Sequence, residues 1–143
     1  MANIVPDSFK TDLLGGVFDF DSSGGSTFKL ALYTNISGLT TATTAFTATN
    51  EVSTSGTSYS SGGNTLTNNG VAISSNIGFV DFADSTFSSV TLSATGALFY
   101  KGTSNEAVLV LDFGGSKTAT NGDFVVQFPT ADSSNAIIRL GDA

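Results

Sequence analysis

This chain of 143 residues has no His, no Cys and no Trp, and only five Lys and Arg side chains. Imidazoles and thiolates carry out much of the proton transfer, nucleophilic attack and soft-metal binding in proteins, and clustered bases bind phosphates. Their absence or scarcity disfavours most enzyme classes. We therefore expect a chain that is not an enzyme, with no catalytic residues, no cofactor and no metal ion.

The charge balance is acidic, because twelve Asp and Glu side chains outnumber the bases and give a net charge of −7. Nucleic-acid binding draws its affinity from several bases on one face, and an anionic membrane repels an acidic protein. We expect neither partner. The five bases are scattered along the sequence, at Lys10, Lys29, Lys101, Lys117 and Arg139.

Length and composition favour one folded domain over residues 1–143, since 40% of the residues are hydrophobic and 12% are charged. The N-terminal sequence lacks a basic segment followed by an apolar one, and no stretch approaches the roughly 18 apolar residues of a membrane span. The expectation is synthesis in a cytoplasm without cleavage or membrane insertion. The absence of cysteine does not indicate a compartment.

Residues 7–18 have the pattern of a short helix. Asp7 or Ser8 could act as the N-cap, and Phe9, Leu13 and Val17 recur every four residues on one face. Glycines near residue 15 weaken its second half. The helix therefore needs a surface to pack against, either the core of this chain or a neighbouring subunit.

From residue 27 onward the apolar residues alternate with polar ones, as in strands with one buried face. Clusters of Gly, Ser, Asn and Asp separate these runs at intervals of about ten residues. The pattern predicts an all-β fold, an antiparallel β-sandwich of jelly-roll or immunoglobulin-like type with one short N-terminal helix. The predicted strands are 27–33, 78–82, 89–93, 96–100, 107–113, 123–128 and 136–140.

Residues 34–70 contain few large apolar residues among many Ser, Thr, Ala, Gly and Asn residues. A compact domain rarely carries so long an irregular segment unless the segment has a use. Two interpretations remain open: a contact arm for a partner, or an exposed loop with one short strand near residues 64–67.

Two groups of acids could carry chemistry. Residues 19–24 begin like a calcium-binding loop, but the position of the closing Glu is Leu30. Asp81 and Asp84 could serve as the acid and base of a glycoside hydrolase. We interpret all of these acids as turn and surface residues, since Asp stabilises turns by bonding to nearby backbone N–H groups.

A resemblance to a known group of proteins extends over nearly the whole chain. The segments that carry it are FKLALYT (28–34), ATNEVS (48–53) followed by SYSSGGNTL, FVDFADSTF (79–87), ALFYKGT (97–103), AVLVLDFGGSK (107–117) and GDFVVQFPTADSSNAIIRL (122–140). In this order they resemble small virion proteins that tailed bacteriophages and prophages encode. The resemblance implies a structural part of the virus particle.

Within that group, the leading expectation is a decoration, or cement, protein on the outer surface of the head, assembled in the host cytoplasm. Its expected partners are the major capsid protein, whose contacts it would stabilise, and further copies of itself, for example in a trimer. A tail or fibre component that binds the host surface is the alternative. A polysaccharide hydrolase that uses Asp81 or Asp84 is a third hypothesis.

Under the cement hypothesis, large apolar and aromatic residues of the helix, the long loop and the strand ends are candidates for contact with a partner. Tyr is favoured because it combines an apolar ring with a polar hydroxyl. The candidates are Phe9, Leu13, Tyr33, Phe46, Tyr59 and Tyr100.

Overall fold

Two antiparallel sheets and one short helix form the structure, a computed structural model that describes residues 2–142. This confirms the predicted fold class. In chain order the elements are α1 (Asp7–Leu14), β1 (Phe28–Tyr33), β2 (Asn64–Thr65), β3 (Asn68–Ser74), β4 (Ile77–Phe82), β5 (Ser85–Lys101), β6 (Ala107–Val126) and β7 (Ile138–Leu140).

One sheet has four strands in the order β2-β1-β5-β6, and the other has three in the order β3-β4-β7. The long strands β5 and β6 form a hairpin that pairs from Tyr100–Ala107 near its turn to Ser85–Val126 at its far end. A tighter hairpin joins β3 to β4 through Ser75 and Asn76, whose φ angles are both positive, as a two-residue type I′ turn requires.

Each of the two long strands joins two runs that the sequence pattern predicts as separate strands. Those runs are 89–93 and 96–100 in β5, and in β6 the run 107–113 and the run 123–128 as far as Val126, where the strand ends. The glycines that suggest a turn, Gly114 and Gly115, instead have positive φ angles at a register shift within the β5–β6 pair. Extra residues in one strand are absorbed as bulges, so the ladder continues past them.

The helix ends at Leu14 rather than at residue 18, so it stops after about two turns, where the weakening by the glycines near residue 15 is expected to act. Gly15 follows as the C-cap and Gly16 has a φ of 79°, a conformation that terminates helices. The predicted N-cap is also wrong. Pro6 occupies that position without a side-chain bond, and the Asp7 N–H donates to the carbonyl oxygen of Thr41 at 2.8 Å.

The main core lies between the two sheets and is built from phenylalanine rings. The ring of Phe28 in β1 stacks on Phe20 with centroids 4.7 Å apart, and meets the ring of Phe82 from the other sheet edge-on at 5.6 Å. Phe82 also contacts Phe99 of β5 at 4.9 Å. These contacts hold the sheets together face to face.

A second core covers the opposite face of the four-stranded sheet. The first part of segment 34–70 folds back over this face, where Ile36 and Leu39 are buried with Leu98 and Val110. Farther along the same segment, Val52, Tyr59 and Leu66 pack in the main core. Residues 107–111 are therefore covered on both faces, as their apolar run predicts. The run does not lie in a central strand, however, because β6 is at the edge of the four-stranded sheet. On the outer side of β6, Val110 forms an isolated bridge with Ile4.

Candidate interaction surface

The three tyrosines that we predicted as partner contacts are buried within this chain. The Tyr59 hydroxyl accepts a hydrogen bond from the Leu32 N–H at 3.0 Å and donates one to Glu51 Oε1 at 2.8 Å. The Tyr100 hydroxyl donates to the carbonyl oxygen of Gly62 at 2.7 Å. Tyr33 donates to a carbonyl oxygen of the same long segment. The tyrosines thus fasten segment 34–70 to the sheet.

The position of Tyr59 follows from the short length of β2. This strand pairs only with Lys29 and Leu30, so the outer edge of β1 has no strand partner beyond that point. Farther along, the Leu32 carbonyl accepts from the Val52 N–H at 2.9 Å and the Leu32 N–H bonds to the Tyr59 hydroxyl. The Tyr59 side chain and the loop at Val52 therefore satisfy backbone groups of β1 that a longer β2 would have paired.

Burial, with a smaller contribution from the nearby Glu51 carboxylate, raises the pKa of Tyr100 to about 12. Burial also raises the pKa values of Tyr33 and Tyr59, again with a contribution from Glu51. All three hydroxyls therefore remain protonated near neutral pH and can donate their hydrogen bonds.

The other sequence candidates divide between two places. Phe46 stacks on Tyr100 with centroids 4.8 Å apart and so belongs with the tyrosines. Phe9 is buried in the main core against Phe18, at a centroid distance of 5.1 Å. Of the six candidates, Leu13 is the one that borders two surface concavities. A partner contact through any of the six stays a prediction.

The exposed apolar side chains gather mainly around α1, β7 and the β3–β4 hairpin. Three concavities adjoin there: one of about 660 Å³ beside β6, one of about 540 Å³ between α1 and β7, and one of about 460 Å³ over β3, β4 and β7. The first two share Ile137, and the last two share Leu13, Ile138 and Leu140. We call these three concavities together the apolar belt.

The belt exists because the three-stranded sheet extends beyond the sheet that it packs on. Residues directly opposite each other in antiparallel strands point to the same face. Val71, Val80 and Ile138 form one such row, in which Val80 is buried in the core. In the next row, Ile73 is 76% exposed and Leu140 is 60% exposed. The face of the three-stranded sheet that packs in the core thus continues past the core, where no other described element covers it.

Helix α1 adds to the same surface, since Leu14 at its end is 85% exposed and lines the concavity next to β7. Sequence reasoning did not find Leu14, Val71, Ile73 or Leu140. The alternation in VAIS at 71–74 is a signal for a strand, but it follows a long polar segment and contains only two large apolar residues.

The charges of the belt differ from those of the rest of the chain. Its lining includes three of the five bases and only two of the twelve acids. The belt is therefore close to neutral, while the remaining surface is strongly acidic. The three bases of the lining are Lys10, Lys117 and Arg139, and the two acids are Asp112 and Asp123.

The acids that could carry chemistry form hydrogen bonds within the chain. Asp19 Oδ1 accepts from the Asp21 N–H at 3.0 Å, and Asp84 Oδ1 accepts from the Phe128 N–H at 2.9 Å. Asp81 accepts from the Asn69 amide at 3.2 Å. Within residues 2–142, no group of three or more acids is arranged to hold a metal ion.

Over the same described range, no helix is long and apolar enough to cross a membrane. No protein-family model matches the chain, and comparisons with curated proteins and with solved structures find no match either.

Proposed function

We propose that this chain is a structural, non-catalytic protein of a tailed-phage virion, and specifically a decoration protein on the outside of the head that stabilises contacts between major capsid proteins. The apolar belt is the observation that carries the assembly role, and segment 34–70 is the surface proposed to contact the capsid. The largest exposed apolar patch of a soluble protein is often a site of contact with another protein. The sequence resemblance to phage virion proteins supplies the type of assembly.

The charge distribution supports a position on the outer surface. Ten of the twelve acids lie outside the lining of the belt, so the surface left after the belt is covered is strongly negative. Packaged DNA would repel such a surface, whereas the outside of the head faces solvent. The acidic excess also keeps the unassembled protein soluble.

The surface proposed to contact the capsid is the exposed side of segment 34–70. Its buried side is fixed by Ile36, Leu39 and the hydrogen bonds of three tyrosines, so its outer Ser, Thr and Asn groups are held in place before binding. A surface ordered in advance loses less conformational entropy when it docks. This interpretation revises the contact arm: the segment is a fixed platform, and deleting it would expose the second core.

Particle location tests the proposal. Gold-labelled antibody against this chain, applied to purified particles of the source phage, should label the whole head densely. Label confined to the tail or fibres would contradict the decoration role and support binding to the host surface. Absence from the particle would overturn a virion function altogether and return attention to a hydrolase.

Substitution on the platform tests the capsid contact. Ala48 is exposed and its side chain takes part in no hydrogen bond, so Ala48→Arg adds a long cationic side chain without removing a contact in the fold. Ser88→Arg makes the same change at an exposed position of β5. With each variant supplied during infection by a phage lacking the gene, we expect fewer copies per particle for Ala48→Arg alone. Equal incorporation of both variants would exclude the platform as the surface that contacts the capsid.

A further inference from the structure

We infer that the platform, the exposed side of segment 34–70, docks through the hydroxyl groups of its Ser and Thr side chains and without ion pairs. Its partner is then a capsid surface that presents uncharged hydrogen-bond acceptors, such as backbone carbonyl oxygens, and the attachment is insensitive to salt. The inference deepens the proposed function and rests on it for the identity of the partner.

Segment 34–70 carries almost no charge, although the chain as a whole is acidic. Of its 37 residues, 17 are Ser or Thr, and Glu51 is the one charged residue. All five bases and the other eleven acids lie elsewhere in the sequence. Glu51 is therefore the one group of this segment with which a partner could form an ion pair.

The carboxylate of Glu51 is engaged within the segment. Its Oε1 accepts hydrogen bonds from the Tyr59 hydroxyl at 2.8 Å and from the Gly62 N–H, and its Oε2 accepts one from the Ser61 hydroxyl at 3.0 Å. The Lys29 ammonium also lies close to this turn, since a Cβ added at Gly62 would be 2.9 Å from its Nζ. The single charge of the segment thus stabilises the fold of the segment itself.

Four hydroxyl groups of the segment are held in place by backbone N–H groups. Thr43 Oγ1 accepts from the Thr40 N–H at 2.8 Å, and Ser53 Oγ accepts from the Ser55 N–H at 3.1 Å. The Oγ1 atoms of Thr40 and Thr47 each accept from the N–H two residues later, at 3.2 Å. These bonds fix the four oxygen atoms relative to the backbone before any partner binds.

Each of these four hydroxyls keeps its O–H donor for a partner. A hydroxyl has one donor and two acceptor lone pairs, and the bonds from the backbone use only a lone pair. Within residues 2–142, none of the four donates to a protein acceptor. Thr40 and Ser53 are exposed, so water accepts from them in the free protein. A partner that displaces this water must supply acceptors in its place.

The absence of countercharge on the platform favours uncharged acceptors on the partner. A partner carboxylate that docked there would lose its water and meet only hydroxyl groups, and a buried charge without an opposite charge is unfavourable. The net charge of −7 on the chain would also repel it. A carbonyl oxygen accepts from the same hydroxyl without either cost.

The aromatic rings of the segment favour a protein partner over a glycan. Phe46 stacks on Tyr100 with centroids 4.8 Å apart, and Tyr59 stacks on Phe87 at 5.7 Å. The segment has no other aromatic residue, so its rings are engaged within the chain and do not provide a platform for a sugar ring.

The salt dependence of binding tests the inference. Purified, labelled protein is added to heads of the source phage that lack this chain, and sedimentation separates the bound protein. NaCl is raised from about 0.1 to 1 M, over which the screening length falls from about 10 Å to about 3 Å. We expect the affinity to fall by no more than about 3-fold, since contacts between uncharged groups are not screened. A larger fall would show that ion pairs hold the contact and would overturn the inference.

Substitutions identify the hydroxyls. Thr40→Val and Ser53→Ala each remove one exposed hydroxyl, and the N–H groups released belong to Ala42 and Ser55, which are exposed and can bond to water. Each variant should bind heads about 5-fold more weakly, the effect of one hydrogen bond. Thr40→Ser keeps the hydroxyl, and Thr120→Val removes one at an exposed position of β6; both should bind within about 2-fold of the original protein. Unchanged binding of both Thr40→Val and Ser53→Ala would contradict the inference.

The failure of the inference can be told apart from the failure of the proposed function. Heads that bind the protein in a salt-sensitive way would keep the decoration function and refute docking through hydroxyls. Heads that bind no protein at any salt concentration would refute the decoration function, and the inference with it. Far-ultraviolet circular dichroism of every variant verifies that the β fold is retained.

Discussion

Replacing Tyr59 by Phe removes one oxygen atom and tests how the long segment is held on the sheet. The Tyr59 hydroxyl is the acceptor for the N–H of Leu32, a residue that is 0% exposed. In the variant, this N–H has no partner and no access to water. An unsatisfied buried donor costs about 1–3 kcal/mol. Glu51 loses one donor too, but it keeps Ser61 and Gly62.

We therefore expect Tyr59→Phe to lower the free energy of unfolding by about 2 kcal/mol. For a chain of this size, that loss corresponds to a fall in Tm of about 6–10 °C. Urea unfolding followed by far-ultraviolet circular dichroism measures the change, with an unchanged m value as the sign that the unfolding transition is the same.

Tyr100→Phe is the matched control. It removes a hydroxyl that donates to the Gly62 carbonyl, and so leaves an acceptor rather than a donor without that bond. A carbonyl with two lone pairs tolerates this better than an N–H does, and we expect a loss of about 1 kcal/mol. If Tyr59→Phe changed stability by less than about 0.5 kcal/mol, the Leu32–Tyr59 bond would not be the anchor described above.

Three further predictions concern pH, packing and backbone geometry. The folded-state pKa of Tyr100 is about 12 against 10.0 for a free side chain, so its stabilising effect is complete below pH 10 and is lost as the pH rises toward 12. Alkaline titration should show tyrosinate absorbance appearing together with unfolding, and ionisation at pH 10 in the folded protein would contradict this. Phe28→Ala empties the centre of the phenylalanine core and should cost about 3–5 kcal/mol in urea unfolding; a loss below 1 kcal/mol would mean that the sheets are not held by these rings. Gly63→Ala should prevent folding, since Gly63 has a φ of 73° and a Cβ there would collide with the Leu30 carbonyl. The Cβ that Gly38→Ala adds meets open space, so this control variant should leave the Tm within about 2 °C of the original value. Equal stability of the Gly63 and Gly38 variants would contradict the close packing of Gly63 on β1.

The sequence pattern predicts the fold class because apolar alternation is a local property. Runs such as FKLALY in β1 have a period of two regardless of what they pair with. The pattern does not predict where strands join. Gly114 and Gly115 have the composition of a turn, and only the pairing of β6 with β5 makes them a bulge.

The candidate surface was less predictable, because exposure depends on tertiary packing. Tyr59 and Tyr100 have the composition of interface residues, but the short β2 leaves an edge of β1 that Tyr59 satisfies from within the chain. Ile73 and Leu140 lie in strands with ordinary apolar patterns. They are exposed only because the three-stranded sheet extends past its neighbour, which no local pattern records.

A cryo-electron microscopy reconstruction of the phage head tests the central claim most directly. The account predicts density for this two-sheet fold on the outer surface of the shell, with segment 34–70 against the major capsid protein. A reconstruction of the head without this density, in particles that contain the chain elsewhere, would contradict the account.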